Sequence, residues 1–216
     1  MSNITAAMVQ ELRQITGAGM VECKKALTEC EGDMEKAKDL LRKKGLATAN
    51  KKAGRIAAEG QVHAYIHGGG RVGVLLEVNI ETDFAARTED FKSLVHEIAL
   101  HICASSPTYV TREEVPQAVI DRENEIYAEQ LRIEGKPEKA WPKIMEGKLN
   151  KFFSENCLLD QPYAFETKIT IKDMVNNVTA KIGEKISVRR FVRWELGEGL
   201  EKRVYDLAKE VAAEMK

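Results

Sequence analysis

Apolar positions in the first fifty residues recur at helical spacing in three short runs. Ile4, Met8, Leu12 and Ile15 form one stripe, Met20, Cys23, Ala26, Leu27 and Cys30 a second, and Met34, Ala37, Leu40 and Leu41 a third. Gly17-Ala18-Gly19 separates the first run from the second, and Gly32-Asp33 the second from the third. Asp33 is the expected N-cap of the third helix, and Gly45 its expected stop after the basic turn Arg42-Lys43-Lys44. Three helices this short enclose a small core, and units of that size more often bind than catalyse. From Ala47 to Glu59 the chain turns to Ala, Lys and Gly, the composition of a partly helical linker. The period then changes. Val62, Ala64 and Ile66 alternate with other residues, Gly68-Gly69-Gly70 supplies a turn, and Val72 to Ile80 is mostly apolar, which predicts a β-hairpin with a buried second strand.

Thr88-Glu89-Asp90 reads as a helix start for Phe91, Leu94, Val95, Ile98, Ala99, Ile102 and Cys103, with Pro107 at the exit. Between Pro107 and Pro162 apolar positions thin out. Val119, Ile126 and Ile133 recur every seventh residue, Gly135-Lys136-Pro137 turns the chain, and Ile144, Met145, Leu149 and Phe152 return, which predicts a projecting antiparallel helical hairpin. Pro142 lies in the returning arm, where it either kinks the helix or sits in its first turn. Val175, Val178 and Ile182 suit another helix, Ile186, Val188, Phe191 and Val192 a final strand, and Val204, Leu207, Ala208, Val211, Ala212 and Met215 an amphipathic C-terminal helix. The expected fold class is α+β. A three-helix module spans 1–46, a linker 47–59, a sheet with packed helices 60–197 including the helical hairpin 108–158, and a last helix 198–216.

Composition narrows the function classes. With 44% apolar and 31% charged residues, the 216-residue chain can bury a core and keep a charged surface, as one large or two modest domains. A net charge of −1 argues against a general nucleic-acid binder, which needs excess Lys and Arg to displace counterions. That balance is uneven: residues 1–55 carry 11 basic and seven acidic side chains, a net of +4, leaving −5 on the remainder. No run approaches the roughly 18 apolar residues of a membrane span, and the start of the chain, with Asn3, Gln10, Glu11 and Arg13, lacks a signal-peptide block, so a cytoplasmic protein is expected. Cys23, Cys30, Cys103 and Cys157 lack the paired spacing of a zinc site and read as small buried thiols.

Catalytic signals fail on inspection. Gly68, Gly70 and Gly73 satisfy a dinucleotide fingerprint literally but lead into a strand rather than a helix, so they read as a hairpin turn. His96 and His101 resemble a zinc-protease pair, but at five residues apart they lie about 140° apart around a helix; core-edge or surface positions are expected for them. No phosphate-binding G-x-x-x-x-G-K-[ST] loop is present. Glu123, Glu125 and Glu129 lie on a charged helix face where solvation is the ordinary role. The chain is expected not to be an enzyme and to need no cofactor or metal.

One segment stands apart. Thr82-Asp83-Phe84-Ala85-Ala86-Arg87 puts an aromatic ring between a buried strand and a helix. Either Thr82 or Asp83 caps a helical turn and Phe84 tucks into the core, or Phe84 projects as an apolar anchor on a rigid loop. The segment resembles the T-D-F-V-A-[RK] signature of the elongation factor Ts family, bacterial guanine nucleotide exchange factors for elongation factor Tu. Three further stretches also resemble that family: Glu11-Leu12-Arg13 through Thr16-Gly17-Ala18-Gly19-Met20 with Cys23-Lys24-Lys25-Ala26-Leu27; Ile182-Gly183-Glu184-Lys185-Ile186 with Arg189-Arg190; and Glu195 to Glu201.

The resemblance implies an N-terminal module similar to ubiquitin-associated domains and places Asp83 and Phe84 against the partner's nucleotide-binding domain, near its magnesium site. Thr82 and Arg87 belong to the same signature. Ile182 and Gly183 match a neighbouring contact, Arg13, Met20, Val21 and Lys24 an N-terminal contact face, and His67 a further contact from the core. Ala85 stands where the family usually has Val. The implied partner is elongation factor Tu, and the single T-D-F segment matches the short form of the family, which implies a homodimer. Two other readings compete. Arg42, Lys43, Lys44, Lys51, Lys52 and Arg55 suggest an RNA- or ribosome-associated module, although without interleaved aromatics; the N-terminal module alone suggests a binder of ubiquitin-like domains.

Overall fold

In the computed structural model, which describes residues 4–201, the N-terminal module consists of α1 (Ala6–Thr16), α2 (Met20–Glu29) and α3 (Met34–Lys52). Thr5 caps α1 by accepting the Met8 N–H, and Asp33 caps α3 by accepting the Lys36 N–H at 3.0 Å. The module's core is six buried residues: Val9, Leu12, Cys23, Ala26, Leu27 and Ala37. Two residues assigned above to its apolar stripes are not in it. Ile15 is 55% exposed and Met20 43%; both lie beside the Gly17–Gly19 turn, where no third helix covers them among the described residues.

The expected stop at Gly45 does not occur, and α3 runs on through it to Lys52. Gly45 is buried, and a Cβ there would lie 3.7 Å from the Cβ of Ala180. The glycine therefore serves a close helix crossing, not a cap. Residues 47–52 of the expected, partly helical linker thus continue α3, which lies against a helix of the core.

The hairpin of β1 (Glu59–His67) and β2 (Val72–Ile80) follows. His67 O accepts the Gly70 and Arg71 N–H groups, and Gly68, Gly69 and Gly70 all have positive φ, so the glycine triplet is a hairpin turn. Next come α4 (Asp83–Ala86) and α5 (Glu89–Ser105), then the arm of α6 (Gln117–Ile133) and α7 (Trp141–Asn156), with Pro142 in the first turn of α7. A small ribbon of β3 (Pro162–Tyr163) and β4 (Glu166–Thr170), helix α8 (Ile171–Ile182) and β5 (Ile186–Glu195) complete the described chain. Residues 202–216 of the expected C-terminal helix lie outside it.

The sheet has the antiparallel order β1-β2-β5. One face of β2, with Val74, Leu76, Val78 and Ile80, packs with α5 and α8 into a core of 19 buried residues. The protein is α+β. In the arm the seven-residue spacing misleads: Ile133 is 79% exposed, whereas Leu131 is fully buried. A straight helix has a 3.6-residue period, so its inward stripe follows Ile120, Tyr127 and Leu131 while a strict seven-residue row drifts off it. His101 is fully buried in the core instead of at its edge. Its Nε2 meets Gln161 Oε1 at 2.8 Å and its Nδ1 accepts the Ala164 N–H, which fixes a neutral ring, and burial pushes its pKa down. Cys23, Cys103 and Cys157 are buried and Cys30 is half-buried; all four are free thiols.

Candidate partner-binding surface

Three segments that are distant in sequence meet at the end of the sheet where β2 stops. The first is the turn α4. Thr82 is its N-cap, its hydroxyl accepting the Ala85 N–H at 3.3 Å, and Thr88 closes the far side by donating its hydroxyl to Ala85 O at 2.7 Å. Ala85 is buried and anchors the turn. Phe84, one residue earlier, points the other way and is 80% exposed. Of the two readings open in the sequence, the cap forms but the ring does not tuck into the core. Asp83 and Arg87 pair across one helical turn at 2.8 Å, both well exposed. A shallow hollow lined by Gly60, Gln61, Asp83, Ala86, Arg87 and Lys92 flanks the turn. Gly60, in its lining, lies so close to β2 that a Cβ there would fall 2.1 Å from Val78 O.

The second segment is the end of α8. Gly183 caps it with φ of 85°, a left-handed conformation that favours glycine, and its N–H reaches Thr179 O at 2.9 Å. Ile182 is half-buried and packs against the main core, so much of its surface is structural. Glu184 ties this segment to the turn by accepting the Thr82 N–H and hydroxyl, while Glu81 accepts the Lys185 N–H at 2.6 Å. That backbone bond, aided by Arg55, holds the Glu81 carboxyl below the ordinary carboxylate range.

The third segment is the α1–α2 turn of the N-terminal module. A Cβ on Gly17 would lie 3.6 Å from the Lys181 side chain, so this turn abuts the end of α8. Beside it Met20 and Val21 are exposed by 43% and 65%, with Arg13 and Lys24 also exposed. Ile15 joins them, a residue the spacing had placed in the core. The module is fixed to the core by Arg42–Asp173 at 2.8 Å, by the Gly45–Ala180 crossing and by a hydrogen bond from Lys52 Nζ to Gly183 O.

His67 does not join these segments. It is exposed at the other end of β1, opposite Val72, where its Nδ1 meets the Tyr65 hydroxyl at 3.1 Å. It stands eight residue steps along β1 from Glu59, roughly 27 Å at strand rise. Sequence reasoning missed Ile15, Glu81 and Glu184. Only Glu184 carried a signal, its place directly after Ile182-Gly183.

The basic cluster that suggested RNA is largely occupied within the chain. Arg42 pairs with Asp173, Lys44 with Glu29, Arg55 with Glu81, and Lys52 bonds Gly183 O. His96 rests against the rings of His63 and Tyr65, while His101 bonds Gln161. The two histidines thus have separate partners. Among the described residues no helix is long and apolar enough to cross a membrane.

Residues 5–198 match the family described as Elongation factor TS. A protein of Carboxydothermus hydrogenoformans named Elongation factor Ts is 60% identical over 213 residues, which cover 99% of this chain and 98% of that one. One of the same name from Desulforamulus reducens is 58% identical over 216 residues, the whole of both chains, and one from Moorella thermoacetica is 61% identical over 197 residues, 91% and 97% of the two chains.

Proposed function

The chain belongs to the elongation factor Ts family of translation elongation factors, and from that premise we propose that it is a guanine nucleotide exchange factor that binds elongation factor Tu in the cytoplasm and drives GDP release. The observation that carries this reading is Phe84, a ring 80% exposed on a turn capped at both ends. A large apolar side chain held outward by a rigid turn has the form of an interface hot spot.

The mechanism follows from linkage. A protein that binds the nucleotide-free partner more tightly than the GDP-bound one must weaken GDP binding by the same factor. Phe84 need not touch the nucleotide. Inserted between packed helices of the partner, it shifts the backbone that cradles the phosphates and spoils the octahedral shell of magnesium, an ion that tolerates poor geometry badly. Asp83, with Thr82 and Arg87 around it, sets the ring's approach, and Ile182 and Gly183 extend the contact. Arg13, Met20, Val21 and Lys24, with Ile15, supply a second contact, and His67 a distant third. No bond to the factor is made or broken, so the protein is not an enzyme in the covalent sense.

Self-association belongs to the same reading. The outer face of the sheet exposes Val62, Ile66, Leu75 and Trp194, an apolar surface with no helix over it among the described residues. A second copy of the chain is the proposed cover, and light scattering is expected to give the mass of two chains; the mass of one would remove the homodimer and leave exchange standing. The exchange reading itself is tested by measuring affinity for elongation factor Tu with and without bound GDP. Tighter binding to the nucleotide-free form is expected, and equal affinities would contradict it.

A further inference from the structure

Two carboxylates hold the Phe84 turn from behind. The ladder between β2 and β5 ends at the pair Ile80 and Ile186, and beyond it the two chains remain joined through side chains. Glu81 accepts the Lys185 N–H at 2.6 Å. In mirror fashion, Glu184 accepts the Thr82 N–H at 3.0 Å and the Thr82 hydroxyl at 2.8 Å. Each carboxylate gives a backbone N–H of the opposite segment an acceptor beyond the last rung, so the two segments stay joined where the backbone ladder has ended.

We propose that Glu184 is a positioning residue for the exchange wedge, fixing Thr82 and, through Thr82, the direction in which Phe84 projects. This inference rests on Phe84 acting as the wedge. The Thr82 hydroxyl has one proton to give. A carboxylate only accepts, so that proton is directed at Glu184, which leaves an oxygen lone pair for the Ala85 N–H at 3.3 Å. Glu184 therefore sets the polarity of the cap that forms the turn. A ring 80% exposed has little packing of its own to hold it, and its direction is inherited from the backbone beneath.

The same carboxylate follows directly on Gly183, so the exposed end of α8 and the Phe84 turn are held together. Glu81 supports the arrangement from the other strand and is itself held by Arg55, three residues beyond the end of α3. The N-terminal module is thereby connected to the clasp as well as to α8.

The test is stopped-flow release of fluorescent GDP from elongation factor Tu by the full-length wild type, Glu184→Gln, Phe84→Ala and the double variant. Glutamine keeps the shape but turns one acceptor into a donor that faces a donor. Loss of one charge-assisted hydrogen bond is expected to lower the maximal release rate about tenfold, with the half-saturating concentration moving less than about threefold. Circular dichroism is expected to match the wild type and the unfolding midpoint to stay well above the assay temperature, with the release rate of Glu184→Asp, which keeps the charge but shortens the reach, between those of the wild type and Glu184→Gln. In the Phe84→Ala background Glu184→Gln is expected to cost less than about twofold, since there is no ring left to aim. A wild-type maximal rate for Glu184→Gln, or an equal loss in both backgrounds, would overturn the proposal. If the wild type accelerates release and Phe84→Ala slows it while Glu184→Gln has no effect, the positioning role alone falls. If the wild type does not accelerate release, the exchange reading falls with it.

Discussion

The N-terminal module and the Phe84 turn both present apolar side chains outward, but they hold them by different means. In the module, Ile15, Met20 and Val21 ride on two short helices over a core of six buried residues. At the turn, a single ring stands on four residues that are capped at both ends, clasped by Glu184 and seated on a core of 19. A shallow patch on a lightly built scaffold can adapt to its partner and add affinity. A lone ring on a stiff scaffold can displace something. The difference suggests a division of labour in which the module grips and the turn drives release.

That comparison breaks most visibly at Phe84. Replacing Phe84 with Ala is expected to lower the maximal rate of factor-stimulated GDP release about a hundredfold, the scale of an aromatic hot spot. Because the ring is 80% exposed, the unfolding midpoint should stay at its wild-type value. A large drop in stability would show that the ring packs internally and that the two regions do not differ in this way.

Next in size is Leu27→Ala. Leu27 is fully buried in the small core, and its truncation is expected to cost about 3 kcal/mol, enough to melt the module while the larger core stays folded. Calorimetry should then show the module's transition lost or moved far down. The half-saturating concentration of factor should rise at least about tenfold with the maximal rate little changed. An equal effect on both quantities would erase the proposed division.

Met20→Ala together with Val21→Ala probes the patch without unfolding its scaffold. Both residues are partly exposed, so the loss is expected to be an affinity decrease of about fivefold with no change in maximal rate, measured by titration at constant partner concentration.

The smallest effect concerns pH. Glu81 has its folded pKa held low by the Lys185 N–H and Arg55. Its contribution is therefore complete above the unfolded carboxylate value of about 4.3 and is lost as pH falls through the lower folded value. Urea midpoints measured from neutral to acid pH should decline less steeply for Glu81→Gln than for the wild type, and parallel curves would remove Glu81 from the clasp.

Much of this architecture was legible because periodicity survives in a single sequence. The hairpin around Gly68–Gly70, helix α5 behind Thr88, the arm and the final strand all follow from spacing and turn residues. The failures share a cause, for each turned on a neighbour that one sequence does not reveal. Gly45 has the form of a helix stop until α8 is seen to cross it, and Ile15 and Met20 fit an apolar stripe until they are found exposed, with no third helix over them among the described residues. In the arm, the seven-residue row suggested a seam at Ile133, whereas a straight helix turned Leu131 inward. The candidate site divides the same way. Asp83 and Phe84 stood out as an aromatic in a connection, but Glu81 and Glu184 are ordinary surface carboxylates until the ends of β2 and β5 are brought side by side.

The central claim is most directly tested by the release of fluorescent GDP from elongation factor Tu, followed with increasing amounts of the intact protein. A release rate that climbs with factor concentration and saturates well above the spontaneous rate is the expected result. A rate that stays at the spontaneous value at every concentration, while the two proteins are shown to bind, would contradict the account.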